Sequence, residues 1–285
     1  MNSFQKIAST HFSLFTFDKK SQIKLTFLNE DHDGIPIVLA PGFLTEGSED
    51  WLKYVQSKID APIIYVQWRS SSILKVSTKV LFGMLGDIIF KSTGGLMLVG
   101  IISIARRFKV HNFFSGAYSS WASAAKEANS AGLELANILN DKWNNNDKAV
   151  FIGHSLGVRV ITNAMINLKY DNVLTSISVA GAINQEEFNA RILNIKSPRK
   201  INHSNLYSTN DRVLKWLYRI GELNVKKLPI GLSQSRLDNV TDYRNDIGHT
   251  KYHNENESFD RLIVKLYKNA VDSLLIDEKE INNNF

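Results

Sequence analysis

The segment that decides the fold runs from Lys148 to Gly157 and has the sequence KAVFIGHSLG. Its first half is a short apolar run typical of a buried strand, and a helix-compatible stretch, Val158 to Leu168, follows at once. Between them lies the pattern Gly-x-Ser-x-Gly, with Ser155 at its centre. Strand, tight turn and helix in this order are the context in which such a serine acts as a nucleophile. The glycines let strand and helix pass closely, because they carry no Cβ atom.

The rest of the chain alternates apolar strands with helical patterns, which predicts an α/β fold with a mostly parallel central sheet covered by helices on both faces. Strands are predicted at residues 22–28, 36–40, 62–68, 149–153, 176–182, 204–208 and 239–243. Helices are predicted at residues 49–59, 73–107, 118–143, 156–168, 185–193, 212–220 and 258–275. A further first strand is predicted near Phe12 to Phe17, where apolar and polar residues alternate instead of forming a cleavable signal. We expect one domain over residues 1–285.

The partners of the serine are expected downstream of it. In the α/β-hydrolase fold, which this order of elements predicts, the acid follows the nucleophile and the histidine comes last. The downstream histidines are His203, His249 and His253. His203 begins a predicted strand, at the wrong end for a site at the carboxyl edge, whereas His249 lies in the loop before the last helix. We predict His249 as the general base, with His253 as the alternative.

The predicted acid is Asp211, which follows one predicted strand and begins a helix. Helix capping alone would also place a carboxylate there, and the two roles are compatible. Asp242 and Asp246 are the alternatives. A carboxylate in this role would orient the imidazole of His249 and stabilise its protonated form as Ser155 loses its proton.

Two backbone N–H groups are expected to form an oxyanion hole. One belongs to Leu156, the residue after the nucleophile, and the other to the loop from Ala40 to Thr45, with Phe43 as the favoured donor. An ordinary turn is the alternative for this loop. His154 is expected to pack or orient and not to act as the base, because adjacent residues at a tight elbow point in different directions.

Taken together, the motifs resemble an α/β-hydrolase family that includes the eukaryotic transmembrane and coiled-coil domain-containing proteins and bacterial lipase-like relatives. The likeness covers residues 36–252 and is carried, in chain order, by PGFLTEG at 41–47 with Trp51, YVQW at 65–68, GHSLG at 153–157, YSTND at 207–211, and Gly248-His249 with Tyr252. The resemblance implies the same assignment of Ser155, Asp211 and His249. The chain departs from the eukaryotic members in lacking their long extra regions.

The least ordinary stretch is the apolar one over residues 80–105, within an insertion predicted to be helical over 73–115. Its uncharged run, Ser92 to Ala105, is shorter than the roughly 20 residues that span a bilayer. Three interpretations stay open: buried core helices, a lid or membrane-contacting helix, and a spanning segment. Apolar surface flanked by basic residues as far as Lys109 suits an anionic phospholipid interface, so membrane contact is expected through residues 80–109.

Composition excludes several kinds of site. The chain has no cysteine, which excludes disulfides, thiolate metal sites and a cysteine nucleophile. Its 34 Lys and Arg against 28 Asp and Glu give a net charge of +6, which favours approach to an anionic surface. Zinc-binding spacings, phosphate-binding loops and RNA-binding signatures are missing, so we expect no nucleic-acid partner. We expect no metal or organic cofactor, since a triad and two N–H donors suffice.

The sequence therefore predicts a serine ester hydrolase, in the first place a lipase or phospholipase that acts on membrane lipids. A further hypothesis is an exported antibacterial effector, carried without a cleavable signal and matched by an inhibitor protein. Two alternatives stay open. One is a soluble carboxylesterase or thioesterase for short acyl esters, and the other is a non-catalytic membrane- or partner-binding protein on a hydrolase fold.

Overall fold

The computed structural model describes residues 21–42, 49–68, 111–197, 200–215, 228–249, 251–254 and 256–283, with the backbone alone over 111–121 and 275–283. Its strands are β1 (Ile23–Leu28), β2 (Ile37–Ala40), β3 (Ile63–Trp68), β4 (Ala149–His154), β5 (Val173–Val179), β6 (His203–Ser208) and β7 (Val240–Asn245). Its longer helices are α1 (Asp50–Lys58), α2 (His111–Lys142), α3 (Gly157–Ile166), α4 (Gln185–Leu193) and α5 (Glu257–Asn283).

The strands form one seven-stranded sheet in the order β1-β3-β2-β4-β5-β6-β7. All neighbours run parallel except β1, which pairs antiparallel with β3. The predicted α/β-hydrolase fold with a mostly parallel sheet is thereby confirmed. From β2 the chain crosses to β3 on one side, and from β4 it continues to β5 on the other. A sheet of this kind places its ligand site at such a switch point, outside the carboxyl ends of the strands.

The centre of the sheet is buried on both faces, while its edges are partly exposed. Every residue of β2, β4, β5 and β6 is buried, whereas in β1 and β7 only the first residue is buried and the others are partly or fully exposed. Helix α3 packs against α2 at Gly132, where an added Cβ would lie 2.8 Å from the Cβ of Asn163. Because the strands behind it are enclosed in this way, the carboxyl edge of β4 is a rigid platform for the residues that follow it.

One strand, β5, does not have its predicted bounds. Strand β5 ends at Val179, three residues before the predicted end at Ala182. Ala180 has a φ of 47°, in the left-handed region that ends an extended strand. The next residues turn around the backbone of Ser155, whose carbonyl accepts a hydrogen bond of 3.0 Å from the N–H of Ala182. The run Val-Ala-Gly-Ala is apolar throughout, so its composition does not mark the turn.

Several predicted features lie outside the described residues. They are the first strand near Phe12, the donor Phe43 and most of the insertion 73–115, of which the structure describes only the backbone from 111, where α2 begins. Within the described ranges, none of the helices is both long and apolar enough to cross a membrane. The one-domain organisation and the nature of the insertion stay predictions.

Candidate active site

Ser155 occupies the turn between β4 and α3, in a strained backbone conformation. Its φ of 54° lies in the left-handed region, which costs a residue with a Cβ about 1–3 kcal/mol. Backbone hydrogen bonds hold the turn: the N–H of Ser155 donates to the carbonyl of Val179 at 2.9 Å, and its carbonyl accepts from Val158 at 3.2 Å. The strain is maintained by the surrounding backbone, and it directs the hydroxyl away from strand and helix.

A continuous chain of hydrogen bonds joins the three predicted side chains. The Oγ of Ser155 lies 2.9 Å from Nε2 of His249, and Nδ1 of His249 lies 2.7 Å from Oδ2 of Asp211. All three side chains are buried, and Asp211 is completely so. A carboxylate can only accept, so Nδ1 of His249 carries the ring proton and Nε2 is free to accept the proton of Ser155. The arrangement can therefore remove a proton from the serine hydroxyl.

The fold explains why residues so distant in sequence meet. Ser155 follows β4, Asp211 follows β6 and His249 follows β7, and the carboxyl ends of these parallel strands lie along one edge. Asp211 also caps the helical turn after it, because its Oδ1 accepts a hydrogen bond of 2.9 Å from the N–H of Leu214. Its two oxygens thus make, one each, the contacts that the two predicted roles require.

The alternative residues are engaged elsewhere. His253 faces Asp50, with 4.0 Å between Nε2 and Oδ2. Asp242 accepts from the N–H of Ser235 at 2.9 Å. His203, the first residue of β6, is hydrogen-bonded to Ser176 at the opposite end of the sheet, and burial lowers its pKa to about 4.

Asp246, the remaining alternative acid, is likewise engaged away from the serine. Its Oδ1 accepts from Asn210 at 3.1 Å. The structure thus brings Asp211 and His249 to Ser155 and leaves Asp242, Asp246, His203 and His253 in other contacts.

Of the two predicted oxyanion donors, Leu156 is among the described residues and Phe43 is not. Leu156 lies at the start of α3, where backbone N–H groups have no acceptor within the helix. The loop after β2 reaches the nucleophile, since a Cβ on Gly42 would lie 2.9 Å from the Cβ of Ser155. The indole N–H of Trp68 donates to the carbonyl of Pro41 at 3.0 Å and fixes the start of that loop. The role of Phe43 stays a prediction.

His154 fills the space behind the serine, as its predicted packing or orienting role requires. Its ring stacks on Trp51, with 4.7 Å between ring centroids, and its Nε2 lies 3.2 Å from the carbonyl oxygen of His249. Burial, and then the charge of His249, hold the pKa of His154 well below its usual 6.5. The neutral form of this imidazole is therefore the stable one.

Two aromatic residues lie close to these side chains, Trp51 and Tyr252, and no role was predicted for either. Trp51 and Tyr252 are both buried, and the hydroxyl of Tyr252 donates to the side chain of Asn245 at 3.1 Å. Burial, and then the charge of Asp211, raise the pKa of Tyr252, so its hydroxyl stays protonated. In the sequence they stand out only because they lie near motif residues, and this nearness does not by itself indicate a contact with the site.

A cavity of about 980 Å³ opens beside His249, between the loops after β6 and β7 and the start of α5. Its wall carries three cationic side chains, Arg212, Arg244 and Lys251, and one carboxylate, Asp246. Within the part of the chain that the structure describes, none of these cations forms an ion pair, and Arg244 contacts the hydroxyl of Thr209 at 3.4 Å. The cavity therefore combines a triad residue with positive charge.

Among the described residues, no group of three or more histidine, aspartate and glutamate side chains could hold a metal ion.

Comparison with known proteins places the sequence in one family. A model of the family described as "Protein of unknown function (DUF726)" matches residues 108–263. No curated protein matches the chain. Similar solved structures include alpha/beta hydrolase domain-containing protein 10 from mouse, with 11% identity over 90% of this chain and 98% of that one and a TM-score of 0.44. The Bacillus cereus carboxylesterase has 15% identity over 89% and 97%, with a TM-score of 0.42. An esterase from Exiguobacterium antarcticum has 11% identity over 86% and 95%, with a TM-score of 0.44.

Proposed function

The chain belongs to the DUF726 family of proteins of unknown function, and we propose that it is a serine ester hydrolase. The observation that carries the proposal is the hydrogen-bonded relay from Ser155 through His249 to Asp211, built at the carboxyl edge of an α/β-hydrolase sheet. A buried serine in left-handed backbone, bonded to a histidine that a buried carboxylate orients, is the arrangement that nucleophilic catalysis needs.

In the proposed reaction, Nε2 of His249 takes the proton of Ser155 as Oγ bonds to the ester carbonyl carbon. The carbonyl oxygen becomes an oxyanion, which the N–H groups of Leu156 and Phe43 stabilise. Collapse breaks the bond to the alcohol, which leaves with the proton from His249 and yields an acyl-enzyme. A water then attacks, His249 takes its proton, and the acid is released as that proton returns to Ser155.

Asp211 and α3 stabilise the charges that this cycle creates. Asp211 accepts from Nδ1 of His249 and stabilises the imidazolium that forms in both halves of the reaction. The N-terminus of α3 lies directly after the nucleophile and points the positive end of its dipole at the oxyanion. Losing one oxyanion donor typically lowers the rate by about 10²–10³-fold.

For the substrate, we propose a membrane lipid with a phosphate-bearing leaving group, and hence a lipase or phospholipase. The leaving alcohol takes its proton from His249, so it departs on the side of that histidine. The cavity there has His249 in its wall together with Arg212, Arg244 and Lys251. These cations, which form no ion pair among the described residues, support an anionic leaving group, because opposite charge attracts it at little desolvation cost. The apolar, basic-flanked sequence of residues 80–109 supports contact with the membrane.

Three further parts of the proposal rest on sequence alone. They are kinship with the transmembrane and coiled-coil domain-containing proteins, export as an antibacterial effector, and an inhibitor protein that protects the producing cell. The first is supported by the order of the motifs from Pro41 to Tyr252, and the other two by a basic, cysteine-free chain with a hydrolase site.

The proposal is tested by following acid release from 4-nitrophenyl esters and from phosphatidylglycerol vesicles. We expect Ser155→Ala to remove activity on both, by up to about 10⁶-fold for loss of a triad nucleophile. The matched control is Ser178→Ala, which changes a buried serine of β5 that has no hydrogen-bond partner among the described residues. Activity that survives in Ser155→Ala, or a wild type inactive on every ester, would contradict the hydrolase proposal.

The substrate class is tested separately. In Arg212→Gln with Lys251→Gln, we expect kcat/KM to fall about tenfold or more on phosphatidylglycerol and to stay unchanged on a neutral 4-nitrophenyl ester. An equal fall on both esters, or none on either, would exclude an anionic leaving-group site. A wild type that prefers short soluble esters over vesicles would identify a soluble esterase.

A further inference from the structure

His154 contacts His249, which is itself hydrogen-bonded to Ser155. It precedes Ser155 directly in sequence, and its ring centroid is 4.9 Å from that of His249. On the other side it stacks on Trp51 at an angle of 27°. Nε2 of His154 is 3.2 Å from the backbone carbonyl of His249. A carbonyl oxygen only accepts, so this nitrogen must carry a proton and donate it.

The backbone of His249 ends a loop that is packed on one side, where Ile247 contacts the core, and open on the other, at Gly248. Residues 246–248 form no helix or strand, and a Cβ on Gly248 would have no atom within 4 Å. The hydrogen bond that Nδ1 of His249 donates to Asp211 fixes the imidazole plane but not the backbone that carries it. A shift of that backbone would move Nε2 away from Ser155. The N–H of His154 bonds to the backbone carbonyl of His249, whereas Asp211 bonds only to its ring.

The second nitrogen of His154 shows which protonation state the site supports. Nδ1 is buried and has no hydrogen-bond partner among the described residues. It faces Gly42, where a Cβ would lie 3.0 Å away, so backbone and not solvent covers it. A second proton would have no acceptor there, and it would place a positive charge beside His249 when that ring is itself protonated. The surroundings therefore hold His154 neutral, with its single proton on Nε2.

We propose that His154 is a positioning residue for the base, whose Nε2–H fixes the backbone of His249 so that the imidazole stays within hydrogen-bond distance of Ser155. The inference rests on the proposed function in assigning His249 as the base. It goes beyond that function because it gives the residue before the nucleophile a defined task. Because the ring is neutral, it performs this task without opposing the imidazolium that forms during catalysis.

Two variants separate the hydrogen bond from the ring. His154→Phe keeps an aromatic ring against Trp51 but loses the donor, whereas His154→Gln keeps an N–H near the position of Nε2. We expect kcat of His154→Phe to fall about 10–10²-fold with KM within about twofold, since misplacing a reacting group by 1 Å costs this much. We expect His154→Gln to recover most of that loss. Equal kcat in wild type and His154→Phe, or equal losses in both variants, would overturn the proposal.

The control for removing any buried imidazole is His203→Phe. His203 is buried at the far end of β6 and hydrogen-bonded to Ser176 at 2.8 Å. We expect this variant to lower the melting temperature and to leave kcat unchanged. A loss of kcat comparable to that of His154→Phe would show that the effect is general destabilisation, and it would overturn a positioning role.

One measurement on the wild type depends neither on the folding of a variant nor on turnover. Imidazole ¹⁵N chemical shifts distinguish the two neutral tautomers, and we expect those of His154 to show protonated Nε2 and unprotonated Nδ1 even at pH 6.5, where a free imidazole is half protonated. A proton on Nδ1 in place of Nε2 would overturn the inference, since the ring could not then donate to His249. If the wild type hydrolyses no ester, the proposed function fails, and this spectrum still decides whether the contact exists.

Discussion

The two loops that bring Ser155 and His249 together are held in different ways. The nucleophile elbow, residues 153–157, is enclosed by backbone: a Cβ on Gly153 or Gly157 would lie within 3 Å of neighbouring main-chain atoms. The base loop, residues 246–249, is open at Gly248, where the same test finds no atom within 4 Å. It is held by the contact of Ile247 with the core and by side-chain hydrogen bonds, from His154 to the carbonyl of His249 and from His249 to Asp211.

This contrast indicates that different interactions hold Ser155 and His249 in position. The serine is fixed by close packing, which deforms only at high cost, so its place survives changes in surrounding side chains. The histidine is fixed by directed hydrogen bonds, so its place depends on a few polar groups. Backbone substitutions should therefore damage the elbow and spare the base loop, while polar substitutions should act on the base.

The largest effect is expected from Gly157→Ala. The new Cβ would lie 2.6 Å from the carbonyl oxygen of Pro41 and closer still to that of Ala40, and neither backbone atom can move without shifting β2. We expect loss of soluble, folded protein, or a destabilisation of about 1–3 kcal/mol or more, from overpacking of this contact. Circular dichroism and chemical denaturation measure it. Wild-type stability in this variant would break the comparison, because the elbow would then have room to spare.

The next largest effect is expected from Asp211→Asn. With the amide oxygen accepting from the N–H of Leu214, the amide NH2 faces Nδ1 of His249 and favours the tautomer in which Nδ1 accepts, and in a comparable triad this change lowers kcat by about 10⁴-fold. The amide oxygen can still accept from the N–H of Leu214, so we expect the fold to remain. Asp211→Ala should add a loss of about 1 kcal/mol in unfolding free energy, because it also removes the helix cap.

Steady-state kinetics and denaturation of the two Asp211 variants separate these contributions. Equal stability in Asp211→Asn and Asp211→Ala would contradict the capping role. A kcat of Asp211→Asn near that of the wild type would contradict dependence of the base on this carboxylate.

Acid should lower the unfolding free energy of the wild-type protein. Burial, and then the charge of His249, hold the pKa of His154 below its unfolded value of 6.5. The unfolded chain therefore takes up this proton first as the pH falls. The resulting stability is fully present above about pH 6.5 and is lost as the pH drops towards the folded pKa, at about 1.4 kcal/mol per unit.

His203 adds to the same slope, because burial lowers its pKa to about 4 and its share is lost between about pH 6.5 and pH 4. Unfolding free energies measured at several pH values should therefore fall less steeply with acid in both His154→Gln and His203→Gln than in the wild type. A slope unchanged by His154→Gln would mean that this ring is not kept neutral by the elbow.

Local patterns predicted much of this architecture from sequence. Helix α4 was predicted at residues 185–193 and is observed there, with the side chain of Asn184 capping it by accepting from the N–H of Glu187 at 2.8 Å. The alternation of strands and helices predicted the parallel sheet, and strand order predicted which side chains would meet. The structure brings Ser155, Asp211 and His249 together, while their catalytic roles stay predictions.

What the sequence could not predict depends on contacts between distant backbone segments. The end of β5 is set by a turn around Ser155, and apolar residues on both sides of the turn hide it from a hydrophobicity pattern. The bond from His154 to His249 joins residues 95 positions apart and involves a carbonyl, which carries no residue-type signal. The cationic cavity likewise collects Arg212, Arg244 and Lys251 from separate segments.

The smallest effect is expected from Gly248→Ala, which is also the matched partner of Gly157→Ala. The added methyl group would enter open space, and the φ of Gly248 is not in the positive range that strains a residue with a Cβ. We expect an unfolding free energy within about 0.5 kcal/mol of the wild type, and an unchanged kcat on a small neutral ester, which leaves the cavity lined by Gly248 unfilled. Kinetics and denaturation beside Gly157→Ala measure the contrast directly. A large loss of kcat in Gly248→Ala would mean that the base loop must adopt a closer-packed arrangement when substrate binds, and its position would then depend on packing as well as on polar contacts.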